Sequence, residues 1–325
     1  MIIKPTKEYL DLLNKGVARE IQVSAQYLLQ HTKMEKISRK VIPENILMGD
    51  ITTYSQIGEK LKEIGIEEMK HLGAIMQRIF MLLGETTTKP SKITVGNSLN
   101  EFAKINFEAE DEALAMYREI IKMATELGDI ETKLMFERIY SDEEKHLLFF
   151  NDLLKIEDEP SIPEADDAEW LEIFDEDYIA LLNKAAAAEF SAIVQYTTQH
   201  EKTAIEKLRM KKSALEVVTD SNKASVISSM LKPIFRQEMD HLELILERIY
   251  EVGKEAIANV DPIPKVGKST EEFITLDREA ENTAILLYRK IISKAAELGD
   301  IKTKKMFEDI LVDEENHYFQ FDDYL

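Results

Sequence analysis

The sequence predicts an all-α protein made of two tandem four-helix bundles, and three observations lead there. Apolar residues recur at spacings of three and four over long stretches, with no strand-like alternation. The second half of the chain repeats the first at an offset of 169 to 171 residues. A Glu-x-x-His pair occurs four times, as Glu68/His71, Glu143/His146, Glu238/His241 and Glu314/His317, and takes up four of the six histidines. Residues three apart project from one face of a helix, so each pair sets a carboxylate beside an imidazole. In each case that face is the apolar stripe, where an unpartnered charge is very costly.

Length and composition bound the answer. At 325 residues the chain suits two domains of ordinary size, each with its own core. It contains no cysteine, which excludes disulfides, zinc–thiolate sites and a cysteine nucleophile. The formal net charge of −21 argues against nucleic acid and favours cations as partners. No run of about 18 apolar residues is present for a membrane span, and the start carries no signal-like apolar core. The expectation is a cytoplasmic protein without a membrane partner.

Each repeat reads as four helices. In the first, a helix over 7–39 has the stripe Leu10, Leu13, Val17, Glu20, Ser24, Tyr27, His31, with a glutamate at its centre. Pro43, Asn45, Gly49 and Asp50 are expected to form a loop. A second helix over 54–83 carries Glu68 and His71 among Leu61, Ile64, Ile75 and Leu82. Gly84, Pro90 and Gly96 mark a long connection. The third helix, 99–126, has Ala103, Asn106, Glu110, Leu114, Tyr117 and Ile121 in line. Gly128 then stops it and Asp129 caps the next. The fourth, 130–155, aligns Phe136, Ile139, Glu143, His146, Phe150 and Leu153. Short first and third connections make antiparallel hairpins, while the longer middle one can cross over the bundle. The domains are expected at 1–157 and 170–325, joined by an acidic linker at 158–169 that contains Pro160 and Pro163.

The polar residues on these stripes form two matching sets. Glu20, Glu68, His71, Glu110, Glu143 and His146 belong to the first unit; Glu189, Glu238, His241, Glu281, Glu314 and His317 belong to the second. Four buried carboxylates carry a charge of about −4, which two divalent cations neutralise. Oxygen and nitrogen donors without sulfur suit iron, with manganese as the alternative. One glutamate from each of two helices plus a Glu-x-x-His from each of the others is the dimetal carboxylate pattern of ferritin-like bundles.

On these residues the chain resembles the ferritin-like superfamily, and bacterioferritins in particular, over nearly all of both units. The spacing of 33 from Glu110 to Glu143, and from Glu281 to Glu314, is similar to that family. So is the run Glu67-Glu68-Met69-Lys70-His71 followed by Gln77-Arg78-Ile79-Phe80. The resemblance implies that Glu20 and Glu110 are terminal ligands, that Glu68 and Glu143 bridge, and that His71 and His146 each hold one metal. Glu189, Glu281, Glu238, Glu314, His241 and His317 carry over likewise. Rubrerythrins look similar but place a further glutamate where Ala113 and Ala284 stand here. Two departures matter. The spacings of 48 from Glu20 to Glu68 and 49 from Glu189 to Glu238 are about two heptads longer than the family pattern. Only eight residues follow His317, so neither a fifth helix nor a closed storage cage is expected.

Other stripe residues take lesser roles. Tyr27, Tyr117, Tyr196 and Tyr288 each follow a glutamate by seven residues, which places a hydroxyl to reach a ligand carboxylate on the facing helix. His31 and His200 lie three turns from the first glutamate and are read as core or bundle-end histidines. Met69 and Met239 are turned about 100° from the neighbouring glutamates. By resemblance that pair implies a haem site, and interface packing between the two units as a pseudo-dimer is the competing reading.

The expected activity is that of a di-iron oxidoreductase that binds Fe(II) at two dinuclear centres and oxidises it with oxygen or hydrogen peroxide. A rubrerythrin-like peroxide reductase, a dimanganese catalase and a non-catalytic iron binder are the alternatives, and further homo-oligomers fit the family.

Overall fold

The computed structural model describes residues 4–40, 48–155, 173–210, 218–257 and 259–325. Among them the only regular elements of any length are helices: α1 (Lys7–Lys40), α2 (Met48–Met81), α3 (Leu99–Leu127), α4 (Ile130–Leu153), α5 (Glu176–Met210), α6 (Val218–Glu251), α7 (Thr270–Leu298) and α8 (Ile301–Asp322). The chain divides into two compact units, Met1–Pro163 and Glu164–Leu325, with four helices in each. The linker expected at 158–169 lies outside the described residues.

Within each unit the first two helices pair along their length, as do the last two, and the first and third helices close the bundle. The 17-residue connection from α2 to α3 runs back along α1 and is fastened by amides that the sequence repeats. Asn14 donates to the Glu85 carbonyl at 3.0 Å and accepts from the Thr87 amide at 2.6 Å. Gln30 donates to the Val95 carbonyl at 2.9 Å, and Lys33 reaches Asn97 Oδ1 at 2.9 Å. In the second unit Asn183 makes the same pair of contacts, to Glu255 and Ile257. A strand of loop laid on a helix has no ladder to join, so side-chain amides satisfy its backbone instead.

Helix ends follow local chemistry. Ser98 and Ser269 cap α3 and α7 through their hydroxyls, and Gly128 and Gly299 close the same helices in the left-handed region at φ 71° and 76°. Two boundaries differ from the sequence expectation. Gly49 and Asp50 are helical, because α2 starts at Met48 rather than 54; a first helical turn makes few internal N–H bonds and tolerates such residues. α2 ends at Met81 rather than 83, and beyond it Leu83 takes φ 65° while Gly84 N donates to the Ile79 carbonyl at 2.9 Å. Gly84 is required for space: a Cβ there would meet Ile79 Cγ2 and Leu10 Cδ2 at 2.9 Å. The second unit puts Gly253, φ 73°, where Leu83 stands in the first.

The excess spacing between the first two glutamates is explained by helix length. Twenty residues separate Glu20 from the end of α1, and twenty separate the start of α2 from Glu68. Glu110 is eleven residues from the start of α3, and Glu143 is ten from the end of α4. The four glutamates therefore share one level, and the α1–α2 hairpin overhangs its partners by about 14 Å at 1.5 Å per residue.

At the opposite end a buried polar cluster ties α4 to α1 and α2. Asp129, the α4 cap, accepts from Arg78 Nη2 at 2.6 Å, from the Tyr9 hydroxyl at 3.0 Å and from the hydroxyl of Thr132 at 2.6 Å. Burial alone would raise the Asp129 pKa, but Thr132, Arg78 and Tyr9 hold it below the ordinary carboxylate value. The second unit repeats the cluster with Asp300, Arg248, Tyr178 and Thr303.

Two stability outcomes follow. Asp129→Ala removes a cap and leaves Arg78 half-paired, so it should destabilise the first unit by about 2–3 kcal/mol in denaturant titration. Leu83→Gly relieves a left-handed leucine whose side chain is 77% exposed, so the same measurement should show a gain of roughly 0.5–1 kcal/mol.

Candidate metal centres

At the common level of each bundle the structure brings all twelve sequence-selected residues into two buried groups of six. In the first unit, one ligand atom from each of Glu20, Glu68, His71 and Glu143 lies within 4.8 Å of the others, and the same holds for Glu68, Glu110, Glu143 and His146. The two donor groups share Glu68 and Glu143. In the second unit, Glu189, Glu238, His241 and Glu314 form one group and Glu238, Glu281, Glu314 and His317 the other, sharing Glu238 and Glu314. Two four-donor groups with two carboxylates in common is the arrangement that two adjacent cations require.

All four imidazoles turn Nδ1 inward. His71 Nδ1 lies 3.1 Å from Glu68 Oε2 and 3.2 Å from Glu143 Oε1; His241 Nδ1 lies 3.1 Å from Glu238 Oε2 and 2.9 Å from Glu314 Oε1. His146 Nδ1 and Glu68 Oε1 approach to 3.1 Å, as do His317 Nδ1 and Glu238 Oε1, yet none of these four atoms makes a hydrogen bond. Buried polar atoms rarely stay unsatisfied. A close approach without a hydrogen-bonding angle is what results when both atoms aim at a third point, and this oxygen–nitrogen donor set fits a divalent transition metal.

The outer ring nitrogens have their own partners, which the sequence reading missed. His146 Nε2 donates to Glu67 at 2.9 Å, and His71 Nε2 lies 3.6 Å from Asp142. In the second unit His241 Nε2 donates to Asp313 at 3.4 Å and His317 Nε2 to Gln237 Oε1 at 3.1 Å. Such partners fix the ring orientation and the tautomer. The available signal was the acidic residue immediately before Glu68, Glu143 and Glu314, which looks like ordinary surface charge in so acidic a chain.

The tyrosines make the cross-bundle bonds that their spacing predicts. The Tyr27 hydroxyl donates to Glu110, Tyr117 to Glu20, Tyr196 to Glu281 and Tyr288 to Glu189. His31 and His200 instead contact the backbone oxygens of Gly58 at 2.8 Å and Ser228 at 2.9 Å, away from both groups. Met69 and Met239 are half-buried.

One further residue enters the first group. Arg19 is buried, and its Nη1 donates to Glu20 at 3.2 Å, to Glu68 at 3.1 Å and to Glu143 at 3.2 Å. Its Nη2 donates to Glu110 and, at 3.2 Å, to Glu143. Arg19 precedes a stripe glutamate by one residue and so falls off the stripe in a helical reading; its length brings the guanidinium back. Ala188 holds the equivalent position in the second unit.

These surroundings set the charge states. Burial opposes charge on His71 and His146, but the facing carboxylates overcome it and push both pKa values up to about 11. The same balance puts His241 at about 12 and His317 at about 9. Burial, reinforced by neighbouring carboxylates, raises Glu20, Glu110, Glu189 and Glu281 well above the ordinary range. Burial also acts against Glu143 and Glu314, yet the Arg19 guanidinium beside Glu143, Glu281 beside Glu314 and the facing histidines in both units hold them below it.

The ferritin-like domain family matches residues 50–158 and 211–325, more than half of the chain. The protein belongs to the ferritin-like family, and two such bundles stand in tandem. Among its relatives, the bacterioferritin of Desulfovibrio desulfuricans is 29% identical over 145 residues, 44% of this chain and 73% of that protein. The bacterioferritin of Rhodobacter capsulatus is 29% identical over 157 residues, 48% and 88% of the two chains. A solved structure of the D. desulfuricans protein, described with its diiron site in different catalytic states, aligns at a TM-score of 0.40 with 28% identity, covering 45% of this chain and 78% of that one.

The pKa pattern predicts how the metal-free protein responds to pH. Glu20, Glu110, Glu189 and Glu281 have folded pKa values above the unfolded value of about 4.3, so the folded state binds more protons and stability falls as pH rises from there. The histidines add to this fall above about 6.5, their unfolded value. Glu143 and Glu314, held low, lose their contribution as pH drops through the carboxylate range. Calorimetry of the chelator-stripped protein should therefore show the highest melting temperature near about pH 4–5 and a steady decline toward pH 9.

Proposed function

We propose that each unit binds a pair of Fe(II) ions at its six-residue group and oxidises them with oxygen or hydrogen peroxide, as a ferroxidase does. The sharing of Glu68 and Glu143 between two donor groups, repeated by Glu238 and Glu314, is the observation that supports it most directly. Membership in the ferritin-like family and kinship with bacterioferritins support it independently. Iron is favoured over manganese on that kinship, since the oxygen–nitrogen donor set accommodates both.

In this reading Glu20 and His71 hold one ion and Glu110 and His146 the other, with Glu68 and Glu143 between them. Glu189, His241, Glu281, His317, Glu238 and Glu314 take the matching parts in the second unit. Iron enters as the substrate and supplies the electrons, which pass to the oxidant. The protein's work is to hold the carboxylates and the inward-facing Nδ1 atoms in place before iron arrives, and iron takes them up by displacing the protons they carry. Glu67, Asp142, Asp313 and Gln237 keep the imidazoles turned inward. The tyrosine hydroxyls restrain the terminal glutamates Glu20, Glu110, Glu189 and Glu281, so that Glu68, Glu143, Glu238 and Glu314 are left to span the pair. Ala113 is buried where a rubrerythrin-type glutamate would add a seventh donor, which favours iron as substrate over a separate reductant.

Metal analysis followed by Fe(II) titration tests this reading. At saturation about four ions should bind per chain, two per unit, and Glu238→Ala should reduce that number to about two. Fe(II) should be consumed with oxygen or peroxide and no other electron donor. Oxidant turnover only with an added reductant would point to peroxide reduction, and binding without oxidation would leave an iron-binding protein.

A further inference from the structure

We infer that the two centres are not equivalent: the Arg19 guanidinium is an internal counter-ion of the first centre that metal must displace, so the second centre fills first. The inference rests on the dimetal reading of the six-residue groups and concerns a residue outside them.

The geometry is specific to one unit. Arg19 Nη1 and Nη2 together contact Glu20, Glu68, Glu110 and Glu143, which are all four carboxylates of the first centre, and the Arg19–Glu143 contact is two-pronged at 3.2 Å on each side. Both shared carboxylates are among them. A guanidinium donates through all its N–H groups and has no lone pair to offer a cation. It cannot stay among these oxygens while two cations take them up, because like charges would then crowd a site with little water to screen them. Loading the first centre thus requires the Arg19 side chain to leave and a buried, multiply hydrogen-bonded ion pair to break. The Arg19 Nε has no hydrogen-bond partner, so every hydrogen bond of the guanidinium goes to a carboxylate that metal would claim, with the Tyr117 ring 5.9 Å away as its other neighbour.

The second centre has the same carboxylates, imidazoles and tyrosines but Ala188 at this position. Its carboxylates face one another and, among the described residues, the two histidines are the only cations within ion-pair distance. Metal there replaces protons and displaces no side chain. The metal-free first unit is correspondingly better compensated, since a fixed positive charge already sits among its glutamates.

Zn(II), which has the charge and ligand preferences needed and no redox chemistry, gives a readout independent of turnover. Calorimetric titration of the chelator-stripped full chain should resolve two classes of site at least tenfold apart in Kd. Glu238→Ala should remove the tighter class. Arg19→Gln should bring the weaker class to within about threefold of the tighter one, because the competing cation is gone. Ala188→Arg should weaken the tight class at least tenfold, and this variant keeps the test decisive if Arg19→Gln does not fold. Metal-free Arg19→Gln should also melt at a lower temperature than the metal-free parent, and its melting temperature should rise further on adding Zn(II). Sites of equal affinity in the parent, or two classes that neither Arg19→Gln nor Ala188→Arg changes, overturn the role of Arg19 while leaving the centres themselves in place. No Zn(II) bound at either unit overturns both the dimetal reading and this inference.

Discussion

Each bundle must accommodate four glutamates that project into a single apolar core at one level. Unscreened carboxylates repel strongly when buried, and removing them from water is costly before any repulsion is counted. Much of the local design can be read as an answer to that constraint. The imidazoles present Nδ1 to the carboxylates and are held from outside by further polar groups. The tyrosine hydroxyls cross the bundle to the two glutamates that lack a histidine three residues on. The helices are set so that residues from four separate segments meet at the same height, whatever the lengths of the segments beyond it.

That registration depends on features far from the site. The cluster of Asp129, Arg78, Tyr9 and Thr132 fixes the start of α4 against α1 and α2. Fourteen residues, or about 21 Å of helix, separate Asp129 from Glu143, so a shift at the cap is passed along a rigid rod to the site. The crossover fastened to α1 by Asn14 and Gln30 does the same for α3. The repetition of both devices in the second unit, with Asp300, Arg248 and Asn183, indicates that they belong to the ancestral bundle.

The two units also differ in polar residues around the glutamates. Asn106 in the first unit bonds with Gln26 and Gln30, whereas Asp277 takes its place in the second. Burial raises the Asp277 pKa to about 7 in spite of hydrogen bonds from Gln195 and Gln199. Glu67 is matched by Gln237, and Arg19 by Ala188. A duplicated chain keeps two copies of one ligand set and can change the electrostatics around each copy separately.

The sequence by itself determined the all-α class, the duplication and the twelve converging residues. It could do so because helical periodicity is local: a glutamate in phase with Leu13, Val17 and Tyr27 must face the same way they do. The tyrosine contacts were legible for the same reason, as a spacing of seven returns to one stripe. The start of α2 was misread because Gly49 and Asp50 resemble loop residues by composition, although a first turn accepts them. The turn at Leu83 was hidden because nothing in a leucine announces a left-handed backbone. Only the tertiary structure decided that Arg19 enters the first centre and that Glu67, Asp142, Asp313 and Gln237 hold the imidazoles. Those side chains start off the buried stripe, and their partners come from other helices. Where a long, flexible side chain ends is set by charges dozens of residues away in sequence, and helical phase carries no information about them.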